Sequence, residues 1–200
     1  MSEHARVEVA SHAPHARKHG ATYAETWTAH DGTVFVAVGA VFAGSDRIAV
    51  ADLLRTAGRA VIGSMAMMAN ALRALDRIVR KHAQEQRDDE LAASVAIFAI
   101  PPREGDVAFT GAGTPRLHVA LIDGLGAQHP LHGLGAALGT GIEPEPGAPL
   151  ETRRLHRDDV LVATTFAIPE GWWAAGRRTA DALVHAAADA EASAALIAPA

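Results

Sequence analysis

The chain has 200 residues, 49% hydrophobic and 20% charged, with a formal net charge of −5; this is the profile of a globular chain long enough for one well-buried core. The acidic balance and the lack of any sustained basic run exclude an electrostatic footprint for nucleic acid, and the absence of cysteine excludes disulfides, thiolate metal sites and cysteine nucleophiles. No run of roughly 18 apolar residues marks a membrane span, and the start MSEHARVEVASHAP lacks the basic and apolar regions of a secretory signal, so the cytoplasm is the expected compartment.

Residues 5–11 alternate apolar and polar as a half-buried strand does. A His-rich loop follows, then a strand over 21–28. Asp31-Gly32 sits between two β-like runs and predicts a hairpin into a β-branched strand over 33–41. Residues 46–62 carry Ile48, Leu53, Leu54, Ala57 and Val61 at helical spacing. Gly63-Ser64 interrupts the pattern, with Ser64 as the expected cap of a second helix over 64–83. Met65, Met68, Leu72, Leu75, Val79 and His82 form its core-facing stripe, and the methionines read as core filler. Strands are then predicted over 94–100, 107–113 and 116–123, followed by a Gly-rich stretch over 124–141. Strands over 150–156 and 159–168 flank Arg157-Asp158, a helix is predicted over 170–189, and a last strand over 193–198. This order predicts an α+β layered architecture, a single domain over 1–200 with residues 1–4 outside its ordered part.

Motifs with a known chemical rationale are scarce. Gly133-Leu134-Gly135 lacks the spacing and βαβ setting of a dinucleotide site, and neither a P-loop nor H-E-x-x-H occurs. His4, His12, His15 and His19 bunch near the start without the spacing of a ligand set. His118 lies within a predicted strand, as a core or edge group. Trp172-Trp173 reads either as a docking patch or as a pair packing one ring inward at a helix start.

From residue 6 to residue 198 the order of elements, with several short stretches, resembles the SpoIIE-like bacterial branch of the type 2C metal-dependent serine/threonine protein phosphatases. Gly20-Ala21-Thr22-Tyr23-Ala24-Glu25 falls where that family has G-G-D-x-Y-D. A D-G hairpin and a hydrophobic strand ending in G-D-x-x-G-x-G come next in the family; here HDGTVFVAVGAVFAGS keeps Gly39 and has Ala40 at the acid, with Val41, Ala43 and Ser45 across the small-residue pattern. Thr110-Gly111-Ala112-Gly113-Thr114-Pro115 corresponds to N-A-G-H-P, and Gly135-Ala136-Ala137-Leu138-Gly139 to G-x-x-L-G. Thr164-Thr165-Phe166 stands at T-D-G, and Ala190-Glu191-Ala192-Ser193 at D-D-x-T.

The resemblance implies a type 2C phosphatase-like β-sandwich of two antiparallel sheets flanked by helices. It also implies acids at Thr22, Glu25, Ala40, Thr165 and Ala190, where they would hold two hard cations through oxygen ligands and activate a bridging water. Alanine has no ligand atom and a threonine hydroxyl is neutral; only Glu25, and Glu191 beside Ala190, keep a charge. Phe42 and Phe166, if neighbours, would fill the space. Three functions are carried forward. The first is a pseudophosphatase, a binding or regulatory module in bacterial signalling and stress-response regulation. It would need no cofactor, and its partner would be a phosphoserine regulator or an anti-sigma-type protein. The second is an active phosphoserine phosphatase with Mn²⁺ or Mg²⁺ on an atypical set drawn from Glu25, Asp46, Asp123, Glu191 and histidine, although Asp46 and Asp123 read more simply as a helix start and a turn residue. The third is a structural or assembly subunit docked through Trp172 and Trp173. None of the three sets the oligomeric state.

Overall fold

The computed structural model describes residues 6–11, 21–102, 107–112, 117–131, 134–142, 151–165 and 193–198. In chain order these form β1 (Arg6–Ser11), β2 (Ala21–Thr28), β3 (Val34–Ala43), α1 (Arg47–Val61), a 3₁₀ turn (Met65–Met67), α2 (Met68–Gln86), β4 (Ala92–Ile100), β5 (Val107–Ala112), β6 (His118–Ile122), β7 (Gln128–Pro130), β8 (Leu134–Gly135), β9 (Glu151–Arg153), β10 (Val160–Thr164) and β11 (Ser193–Ala198). Two sheets result: a five-stranded sheet in the order β1-β11-β10-β6-β7, and a six-stranded sheet in the order β2-β3-β4-β5-β8 with β9 also on β5. Every pairing is antiparallel except the two-residue contact of β8 with β5.

Alternation along the strands builds two cores on the two faces of the six-stranded sheet. One face carries Val36, Val38, Ala96, Phe98 and Phe109, which pack against Val119, Leu161, Ala163, Ala195 and Ile197 of the other sheet. The opposite face carries Tyr23, Trp27, Phe35, Val95 and Ile97 against Val50, Leu54, Met68, Leu72, Leu75 and Val79 of the helices. β4 is therefore buried on both sides along its whole length, which is why AASVAIFAI reads as a continuous apolar run rather than an alternating one.

The β2–β3 hairpin forms at Asp31-Gly32. Gly32 takes φ +83°, and the Asp31 carboxylate accepts the Thr33 N–H at 2.9 Å, a local bond that favours the turn. Trp27 stacks on Phe35 with ring centroids 5.4 Å apart and donates its indole N–H to the Ile62 carbonyl at 3.1 Å, which fastens the end of α1 to the sheet.

Several expectations shift. The stripe of α1 runs through Val50, Ala51, Leu54, Ala57 and Gly58, and Ile48 is exposed. Ser64 is extended before the 3₁₀ turn and its hydroxyl makes no cap bond; α2 begins at Met68 and continues to Gln86. It ends on Arg87 at φ +55°, with the Asp88 N–H bonded to the Ala83 carbonyl at 2.9 Å. The Gly-rich stretch holds β7 and β8 because its backbone groups find open strand edges on β6 and β5. β9 is three residues long and β10 ends at Thr164. The helix expected over 170–189 lies outside the described residues.

Candidate functional site

One end of the sandwich gathers three of the positions singled out in the sequence, Thr22, Ala40 and Thr165. Thr22 near the start of β2, Ala40 near the end of β3 and Ser94 near the start of β4 form a single row. Thr22 is the cross-strand partner of Ala40, and Ala40 is the partner of Ser94. They share parity with Ala24, Val36, Val38, Ala96 and Phe98, so the row faces the other sheet. From that sheet comes Ser193, the first residue of β11, with the parity of Ala195 and Ile197. The Thr22 and Ser193 hydroxyls lie 2.9 Å apart in a buried hydrogen bond.

Thr165, one residue past β10, holds Ser193 from the side. Its N–H donates to the Ser193 carbonyl at 3.0 Å, its hydroxyl accepts the Ser193 N–H at 3.0 Å, and the same hydroxyl lies 3.3 Å from the Ser193 carbonyl. Thr22, Ala40, Ser94 and Ser193 are all buried, and Thr165 is half-buried. Among the described residues the buried Ser94 hydroxyl has no hydrogen-bond partner. Leaving such a group unpaired costs about 1–3 kcal/mol.

Glu25 does not join this row. It lies on the opposite face of β2, toward α1, where its carboxylate meets Arg55 at 3.4 Å and Arg59 at 3.1 Å. Asp46 precedes α1, with its carbonyl bonded to Val50 N–H at 3.1 Å and no side-chain cap bond. Asp123 closes the β6–β7 turn by accepting the N–H groups of Leu125 and Ala127 and facing His129 at 2.8 Å. That position makes it the turn residue its sequence context implies, and these bonds, His129 foremost, hold its carboxyl below the usual range. His118 is exposed on β6, with partial burial pulling its pKa down. Phe42 sits half-buried in a β-bulge between Val41 and Ala43. Ala190, Glu191, Phe166, Trp172, Trp173, Gly113, Thr114, Pro115, His4, His12, His15 and His19 lie outside the described residues.

The donor set decides what this end of the sandwich can hold. Mg²⁺ and Mn²⁺ select carboxylates and water, whereas the described row offers one methyl and neutral hydroxyls. Among the described residues no group of three His, Asp or Glu side chains is placed to hold a metal ion. These residues do not fit a two-cation centre, and no step through such a centre is derived from them.

Two polar residues escaped the sequence reading. Ser94 reads in the sequence as a strand start, and only the pairing to Ala40 places it in the row. Asp76 falls inside the apolar arc of α2; it is buried, accepts the Gly139 N–H at 2.9 Å and lies 2.7 Å from Arg80 Nε. An acid inside an apolar arc, four residues before an arginine, was the signal available.

An antiparallel sandwich with helices on an outer face, and the tips of β2, β3, β4, β10 and β11 brought together at one end, is the architecture of a type 2C serine/threonine phosphatase-type domain. The family described as Stage II sporulation protein E (SpoIIE) matches residues 30–197; the chain belongs to that family. Among solved structures, a Streptococcus agalactiae serine/threonine phosphatase superposes with TM-score 0.74 at 11% identity, covering 98% of this chain and 100% of the other. PppA, a key regulatory component of T6SS in Pseudomonas aeruginosa, gives 0.70 at 13% identity, with 99% of each chain covered. RsbX in complex with magnesium gives 0.68 at 8% identity, covering 98% and 96%. At these identities the likeness concerns the fold. No curated protein matches by sequence. No described helix is long and apolar enough to cross a membrane.

Proposed function

We propose that this chain is a non-catalytic member of its family, a pseudophosphatase that serves as a binding or regulatory module in bacterial signalling. The observation that carries the reading is the buried row Thr22–Ala40–Ser94 facing Ser193, in which a hydroxyl (Thr22) and a methyl (Ala40) stand where the family resemblance puts acids and the neighbouring Ser94 and Ser193 add only hydroxyls. Hydrolysis through paired cations needs charged oxygen ligands to hold the ions and to lower the pKa of the bound water; these side chains supply neither. The partner class is a protein, with a phosphoserine-bearing regulator first, and the setting is the cytoplasm. That PppA is a key regulatory component of T6SS supports a signalling role.

The test is calorimetric titration of the full chain with Mn²⁺ after dialysis against chelator. Heat of binding is expected to be absent up to millimolar Mn²⁺, and aryl phosphate hydrolysis in the same buffer is expected to be absent. Tight Mn²⁺ binding with hydrolysis would overturn the reading in favour of a working phosphatase.

A further inference from the structure

We propose that the Thr22–Ser193 hydrogen bond is a neutral clasp standing where the family resemblance implies a cation, so that the two sheets close at this end with no divalent ion. The proposal rests on the non-catalytic reading above. The two hydroxyls are 171 positions apart in the chain and 2.9 Å apart in space. They join β2, at an edge of one sheet, to β11, inside the other.

Beside it, the described residues between the sheets form an apolar cluster, from Val36 and Phe98 to Leu161 and Ile197. Apolar packing is non-directional, so it leaves the relative setting of the strand tips loosely specified. A buried hydrogen bond is directional and fixes that setting. Ser193 is held on its other side by Thr165, whose N–H and hydroxyl engage the Ser193 carbonyl and N–H. The clasp therefore connects three strand tips.

The acids that the resemblance implies at Thr22, Ala40 and Thr165 would repel one another unless a cation lay between them, since like charges at close range disfavour the ionised forms. Two hydroxyls carry no charge to neutralise, and each can donate to the other. The two hydroxyls are also buried: Thr22 is 7% exposed and Ser193 fully buried.

The experiment is denaturant unfolding of the full chain, in chelator and in millimolar Mn²⁺, with Thr22→Val, Ser193→Ala and the double variant. Each single change is expected to lower the folded-to-unfolded ratio by roughly 5- to 30-fold. The double variant is expected to lose little more than either single, because both remove the same bond. Thr22→Ser keeps the hydroxyl and is expected to retain wild-type stability, which preserves the test if Thr22→Val does not fold. Wild-type curves in chelator and Mn²⁺ are expected to superimpose. Additive losses with cation-insensitive unfolding would overturn the clasp and leave the non-catalytic reading standing. A midpoint that rises with Mn²⁺ would overturn both.

Discussion

Ala40 is the residue on which the proposed non-catalytic reading turns. Its methyl lies between two hydroxyl-bearing neighbours, Thr22 on one side and Ser94 on the other, and the Ser94 hydroxyl has no partner among the described residues. An acid introduced at 40 would meet hydroxyls from two strands, one of them free to donate. Ala96 is an equally buried alanine on the same face of β4, but its neighbours are Val38 and Gly111. Ala40→Asp is therefore expected to cost about 2–4 kcal/mol, and Ala96→Asp more than that, since its charge is buried without a donor. Ser94→Ala alone is expected to leave stability unchanged or to raise it by about 1 kcal/mol, yet to deepen the loss in the Ala40→Asp background. Chemical denaturation of the four variants checks this; equal losses for Ala40→Asp and Ala96→Asp would mean that the row gives an acid no support.

Among the elements, the β2–β3 pair shows how backbone and side chain fit one another. Tyr23 is the cross-strand partner of Gly39, and a Cβ at Gly39 would lie 2.4 Å from the Tyr23 ring. The ring occupies the space the missing side chain leaves, buried under the helices. Burial also pushes the Tyr23 phenol well above its ordinary pKa of 10.0, so the contribution of its neutral form is present below pH 10.0 and is lost above it. Gly39→Ala forces ring or strand to move in a packed layer and is expected to destabilise by about 1–3 kcal/mol. Tyr23→Leu in the same chain, which shortens the side chain, is expected to recover part of the loss. Thermal melts of the two variants decide it, and a Gly39→Ala variant melting with the wild type would displace the ring from this position.

Across the whole molecule, among the described residues, Asp31 in the β2–β3 hairpin and Asp123 between β6 and β7 each close their own turn by accepting backbone N–H groups, and Asp88, where α2 turns into β4, accepts the Ser45 N–H from the β3–α1 connection. Each is held below its ordinary pKa of 3.8, Asp31 chiefly by the Thr33 N–H, Asp88 chiefly by the Ser45 N–H and Asp123 chiefly by His129. A depressed carboxyl contributes stability that is present above its unfolded pKa and is lost as pH falls through its folded one. The thermal midpoint is therefore expected to hold between pH 7 and about 5 and to fall progressively below about pH 4. Asp88→Asn, with no charge to lose, is expected to show a shallower fall. A midpoint insensitive to acid would mean that these turns contribute nothing through their charges.

Much of the architecture was legible locally. The Asp31-Gly32 hairpin, the continuous apolar run of β4 and the Met68–Leu72–Leu75–Val79 stripe are short-range patterns whose physical cause lies within a few residues. Their order places the chain beside the type 2C phosphatases, and the resemblance sets Ala40 and Thr165 where it implies acids. Tertiary structure decided what stands in their place. Glu25 belongs with Arg55 and Arg59 because the two-residue period of β2 turns it toward α1, away from Thr22. Ser94 is brought to Ala40 only by strand pairing, and Ser193 to Thr22, 171 positions away in the chain, only by sheet packing. The residue types follow from the sequence, but which hydroxyls meet depends on register and on the face each strand turns inward, and both are set by long-range pairing.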